Sequence, residues 1–186
     1  ITNGITIMSL SGAGVTIIDG NSSVRCMSVT HSNAVVTGFT FTRGYRGGDG
    51  NGGGVYVSGG ATIRNCTFSS NTATNYGGGL YCYQGGTITN CTFTGNRATY
   101  GGGLQCEGTG NVFNCTLSAN SAYYGAAVRL RNGGIITNCM INNNLAYAGG
   151  GGIQIVGSGV AFGCTVLGNT SSNYAGGIYC WQGGTV

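Results

Sequence analysis

The chain lacks proline and lysine altogether, and it carries only three acids, Asp19, Asp49 and Glu107. Charged residues amount to 5% of its 186 residues, where about 25% is usual in globular domains. Low charge and no proline, combined with 41% hydrophobic residues, exclude the composition of a disordered segment. No apolar run approaches the roughly 18 residues of a membrane helix, so no transmembrane segment is expected. The opening "ITNGITIMSL" has neither the basic region nor the cleavage pattern of a signal peptide, so the signal of an exported chain would lie outside this segment. The seven arginines are scattered without a basic block, which speaks against nucleic acid as a partner.

What the chain has in excess is 40 glycines and nine cysteines, and both recur at fixed intervals. The Cys of an "NC" or "GC" step falls at Cys66, Cys91, Cys115, Cys139 and Cys164. The apolar residue after a glycine-rich run falls at Val55, Leu80, Leu104, Val128, Ile153 and Ile178. Both rulers read 24 or 25 residues per unit. Within a unit the alternation is short. "GLYCYQ" puts Leu80 and Cys82 on one face and Tyr81 and Tyr83 on the other, while "TIT" and "CTF" turn Ile88, Cys91 and Phe93 inward. No such unit buries its apolar face alone, but stacked units share one core.

The predicted fold is therefore all-β: a single-stranded right-handed parallel β-helix of seven to eight coils, with three short strands per coil. It forms one domain or segment over 1–186, with irregular early coils at 1–51 and regular coils at 52–186. Parallel strands about 4.8 Å apart make this a rod roughly 35 Å long. Right-handedness is expected from the general rule for parallel crossovers.

Two asparagine rows accompany the coils. Asn65, Asn90, Asn114 and Asn138 stand at the corner before the third strand, where Asn tolerates a left-handed backbone and its amide is expected to bond its equivalent one rung away. Gly163 takes the fifth place. Asn71, Asn96, Asn120, Asn144 and Asn169 lie in the following turn.

The recurring phrases "GGGV", "GGGL", "GAAV", "GGGI" and "AGGI", paired with "FSSN", "FTGN", "LSAN", "INNN" and "VLGN", resemble the GGA(I/L/V) and FxxN motifs of polymorphic outer membrane proteins and related bacterial surface β-helices. The likeness covers about residues 52–186. It implies the right-handed, pectin-lyase-like fold and an extracellular or cell-surface place. That architecture carries adhesins, autotransporter passengers, tail spikes and polysaccharide-cleaving enzymes alike, so it leaves the function open.

For the cysteines, the inward row at rung spacing is wider than the roughly 3.8 Å between Cβ atoms that a disulfide prefers, and free buried thiols are expected. Cys82 and Cys106 form a second row, rejoined by Cys180, and Cys26, outside both, is the expected reactive thiol. No closely spaced Cys pair suggests zinc. No metal or cofactor is expected.

Catalysis by paired carboxylates needs acids close together, and the register separates Asp19, Asp49 and Glu107. Glu107 should pair across the rungs with Arg131, and His31 has no nucleophile placed beside it. No catalytic residue is assigned. The outward positions of the first strand form two rows that offer aromatic faces with polar rims: Tyr56, Tyr81, Gln105, Arg129, Gln154 and Tyr179, then Tyr83, Glu107, Arg131, Val156 and Trp181 among others. A further row, Tyr76, Tyr100, Tyr124 and Tyr174, lies near them. Tyrosine also favours strands and stacks along rungs without any ligand. The outward Thr67, Thr92, Thr116 and Thr165 are interrupted by Met140 and flanked by Phe113 and Phe162, which is not an ice-binding array.

The sequence thus points to a non-enzymatic structural or adhesive β-helix, with surface glycans or proteins as partners. Two alternatives stand beside it. One is a filament subunit stacking on copies of itself through open strand edges. The other is a polysaccharide-binding or polysaccharide-processing module.

Overall fold

The computed structural model describes residues 1–48 and 50–186. Asp49, one of the three acids, lies outside the described residues. Every strand pairing is parallel, and each joins a residue to its equivalent one coil away: Val55, Leu80, Leu104, Val128, Ile153 and Ile178 are successive partners. The coils number about seven and wind as a right-handed parallel β-solenoid. The early register also holds, with Met27 beside Val55, Val36 beside Ile63 and Phe41 beside Phe68.

The number of sheets is corrected from three to four. In one representative coil the first sheet takes Leu80–Tyr83, the second Gly86–Thr89, the third Thr92–Thr94 and the fourth Arg97–Tyr100. The fourth strand occupies what reads in sequence as a turn. Its inward residues are Ala98, Ala122 and Ala146, too small to give the apolar alternation that marks the other strands.

Like residues stack inside the coil. Phe41, Phe68 and Phe93 are fully buried, and the rings of Phe68 and Phe93 lie 4.6 Å apart and nearly parallel. Leu117, Ile141 and Val166 continue that column. The thiols of Cys66, Cys91, Cys115 and Cys139 are buried beside it, and all nine cysteines are free. Neighbouring thiols and burial hold Cys82 and Cys91 well above the usual thiol pKa. Cys26 is not the open thiol: it is half-buried, donates to the Thr42 carbonyl at 3.4 Å, and is pushed up by burial, whereas Cys180 is exposed.

The two asparagine rows do different work. Asn65, Asn90, Asn114 and Asn138 have φ of 52–54°, and this left-handed corner is what Asn tolerates and Gly163, at 62°, supplies freely. Among the described residues no amide-to-amide bond links this row; Asn65 Nδ2 reaches Thr37 Oγ1 at 3.4 Å. The side-chain ladder belongs to the second row. Asn96 Oδ1 accepts from both N and Nδ2 of Asn71 at 3.0 Å, and Asn96 in turn donates twice to Asn120 Oδ1. Asn120 does the same to Asn144, and Asn144 to Asn169. Each Nδ2 also bonds a carbonyl of the preceding coil, as Asn120 does with Phe93 at 3.0 Å. Buried amides survive only when so paired.

Candidate functional site

After each fourth strand the chain bends sharply into the next first strand through a glycine triplet. Gly77 sits at φ 61°, and a Cβ on Gly79 would lie 2.6 Å from the Gly103 carbonyl oxygen one coil away. Only glycine permits so close an approach. The bend turns the outer side of the first sheet toward the tyrosines that end the fourth.

This corrects the first outward row. Tyr81, Gln105, Arg129 and Gln154 are only 4%, 0%, 7% and 2% exposed, because the rings of the Tyr76 row lie over them: Tyr76 stacks on Tyr81 at 5.4 Å, and Arg129 Cζ lies 4.8 Å from the Tyr100 ring centre. Tyr56 and Tyr179 are partly covered, by Arg25 at 5.1 Å and by Tyr174 at 4.9 Å. Val156, also read as outward, is buried. Tyr83 and Trp181, at 40% and 50%, do face solvent.

The result is a stacked corner with rings in contact along the rod. Tyr76 to Tyr100 is 5.2 Å, and Tyr100 to Tyr124 is 5.4 Å with planes 8° apart. Such stacks add about 0.5–1.5 kcal/mol each beyond area burial. Beneath them runs a polar chain in which Arg129 donates from Nε to Gln154 Oε1 at 3.1 Å and from Nη1 to Gln105 Oε1 at 3.5 Å. Burial lowers the Arg129 pKa. Glu107 accepts from Arg131 at 2.7 Å, the pairing expected from the register, and also from the Tyr81 hydroxyl at 2.9 Å. Burial and that carboxylate push the Tyr81 hydroxyl far above its ordinary pKa. Tyr81 and Glu107 therefore hold the corner together.

Toward the last coils the corner opens into a cleft of about 350 Å³ lined by Tyr100, Tyr124, Arg129, Gln154, Tyr174, Tyr179 and Trp181. A second hollow of about 330 Å³ adjoins it, with Arg129, Arg131 and Trp181 on its walls. Of the residues read from sequence as a binding face, the cleft brings together Arg129, Gln154, Tyr179 and Trp181. Strand alternation puts Tyr100, Tyr124 and Tyr174 only beside the face; they are its wall, and their place directly before the glycine-rich bends is the sequence signal for that position.

The remaining candidates lie apart. Asp19 pairs with Arg43, which holds the carboxyl below its ordinary pKa. His31 Nδ1 accepts from the Asn33 backbone N–H at 3.2 Å. Among the described residues no helix is long and apolar enough to cross a membrane.

Comparison with curated proteins and with solved structures returns no match. A family model described as the right handed beta helix region matches residues 25–186, most of the chain and every coil that contributes to the cleft. The parallel register and the family match agree, and the chain belongs to the right-handed β-helix family.

Proposed function

We propose that this β-helix is a non-enzymatic structural and adhesive module of the extracellular space or cell surface, and that it binds surface glycan at the tyrosine-lined corner. One observation carries the reading: aromatic rings at rung spacing open beside a buried guanidinium into a cleft of about 350 Å³, within the size range of small-molecule sites. Aromatic faces with a polar floor match the alternating C–H and hydroxyl surfaces of a sugar ring. The extracellular placement rests on the likeness of the GGG(V/L/I) and FxxN phrases to bacterial surface repeats. The non-catalytic part is supported by the two described carboxylates, since Asp19 is tied to Arg43 and Glu107 to Arg131 and Tyr81.

The test is binding of the labelled chain to an array of glycans and extracellular proteins, alongside a Tyr174→Ala/Trp181→Ala variant. Selective glycan binding by the parent chain that the variant loses while folded supports the proposal. Cleavage of an arrayed polysaccharide, or equal binding by the variant, overturns it.

A further inference from the structure

The tyrosine row has one vacancy. Tyr76 faces Tyr100 and Tyr100 faces Tyr124, but the residue in register with Tyr124 one coil on is Ala148. Gly149 follows, and the pairing of Gly150 with Ala175 sets it level with Tyr174. Among the described residues, the tyrosine row therefore has no ring in register between Tyr124 and Tyr174. Gly149 has φ 75°, and a Cβ there would come within 3.1 Å of Tyr124 Cδ1 and 3.2 Å of Gln154 Nε2, so glycine at that position keeps Tyr124 and the Gln154 amide at the wall of the cleft, where a larger residue would be strained. Two rungs amount to roughly 9.6 Å. Tyr100 and Tyr124 stack at 5.4 Å across one rung, so by register the two-rung interval leaves room for one ring.

The floor of the gap holds a buried cation that lies against the Tyr100 ring and that no carboxylate among the described residues hydrogen-bonds. Arg129, more than nine-tenths buried, gives its hydrogen bonds to two neutral amides, Gln105 and Gln154. The described carboxylate nearest in register, Glu107, is taken by Arg131 and Tyr81. A buried cation whose partners are all neutral gains most from an incoming anion.

We infer that the place left by Ala148 in the tyrosine row is a one-residue subsite for an acidic glycan, taking a single sugar ring between Tyr124 and Tyr174 with its carboxylate on Arg129. The site rests on the proposed adhesive function and narrows its ligand. Binding needs no bond breaking: the ring takes the place of the missing tyrosine, and the carboxylate gives Arg129 an anionic hydrogen-bond partner in addition to its two amides.

Trp181, the sole tryptophan, lines the same cleft and reports on it by fluorescence. The parent chain is titrated with sialyllactose against lactose, and with an oligoglucuronate against its carboxyl-reduced form. A saturable change with at least one acidic probe is expected, with its neutral counterpart about tenfold weaker or worse. Arg129→Gln should erase that preference. Ala148→Tyr should insert the absent ring, abolish binding and raise the midpoint of thermal unfolding, so that loss of binding is not loss of fold. Equal binding of acidic and neutral probes overturns the inference, as does undiminished binding by folded Ala148→Tyr, or a preference for aromatic peptides over both sugars. Arrayed glycan binding that survives Ala148→Tyr sinks the subsite and leaves the adhesive reading intact. A parent chain that binds no glycan at all sinks both.

Discussion

Two asparagines that look alike in sequence have opposite duties. Asn114 sits exposed at a left-handed corner with φ 52°, and its main-chain N–H bonds the Thr137 carbonyl whatever the side chain. Asn120 is buried and stands at the crossing of four side-chain hydrogen bonds. Asn114→Gly should leave stability within about 0.5 kcal/mol, since glycine meets the same backbone demand. Asn120→Ala should cost about 3 kcal/mol or more by stranding buried donors and acceptors. Urea unfolding of both variants checks the contrast. Spacing alone does not separate the rows, because both recur every coil. A cue is present, though: Gly163 stands in for one member of the first row, as suits a backbone role, whereas all five members of the second are asparagine.

At the level of the strand, the sequence announces the first three sheets and conceals the fourth. Leu80, Ile88 and Phe93 alternate with polar neighbours and are read at once. "RATY" and "SAYY" bury only alanine, and their tyrosines lie at the bend, so no apolar period shows. Small residues are required there, because Ala122, Ala126 and Ala146 pack tightly against one another. Ala122→Leu should therefore destabilise the chain by about 1–3 kcal/mol through overpacking, visible as a lower unfolding midpoint. Two buried thiols, one from each row, carry a pH signature. Cys82 and Cys91 have folded pKa values raised above the ordinary 9.0, so their protonated forms favour the folded state. That contribution is complete below pH 9.0 and is lost as pH rises above it, because the unfolded thiols ionise first. Tyr81, raised from 10.0, extends the loss further. Chemical denaturation from pH 7 to 11 should show stability flat at the start and falling beyond about 9, with a shallower fall in a Cys82→Val/Cys91→Val variant.

The whole molecule is a stack in which one corner departs from the rest. Fold, register, coil number and the Glu107–Arg131 pair were all legible from the 24- and 25-residue spacing, because a solenoid translates sequence period directly into position. The cleft was not, because it depends on the angle between two sheets. Alternation says that Tyr81 and Arg129 point away from the lumen, but the glycine bend decides that they point at Tyr76 and Tyr100 rather than at water. The inner column and the asparagine ladder tie each coil to the next, and the rings at the corner are held at rung spacing by that stack. Hydrogen–deuterium exchange on the chain with and without a glycan selected from the array reads the corner directly. Protection gained on binding should be confined to residues 100–107, 121–131, 148–156 and 174–181, the strands and bends that form the corner. Protection on the outer face of the third sheet, around Thr92 and Thr116, or none at the corner, would contradict binding there.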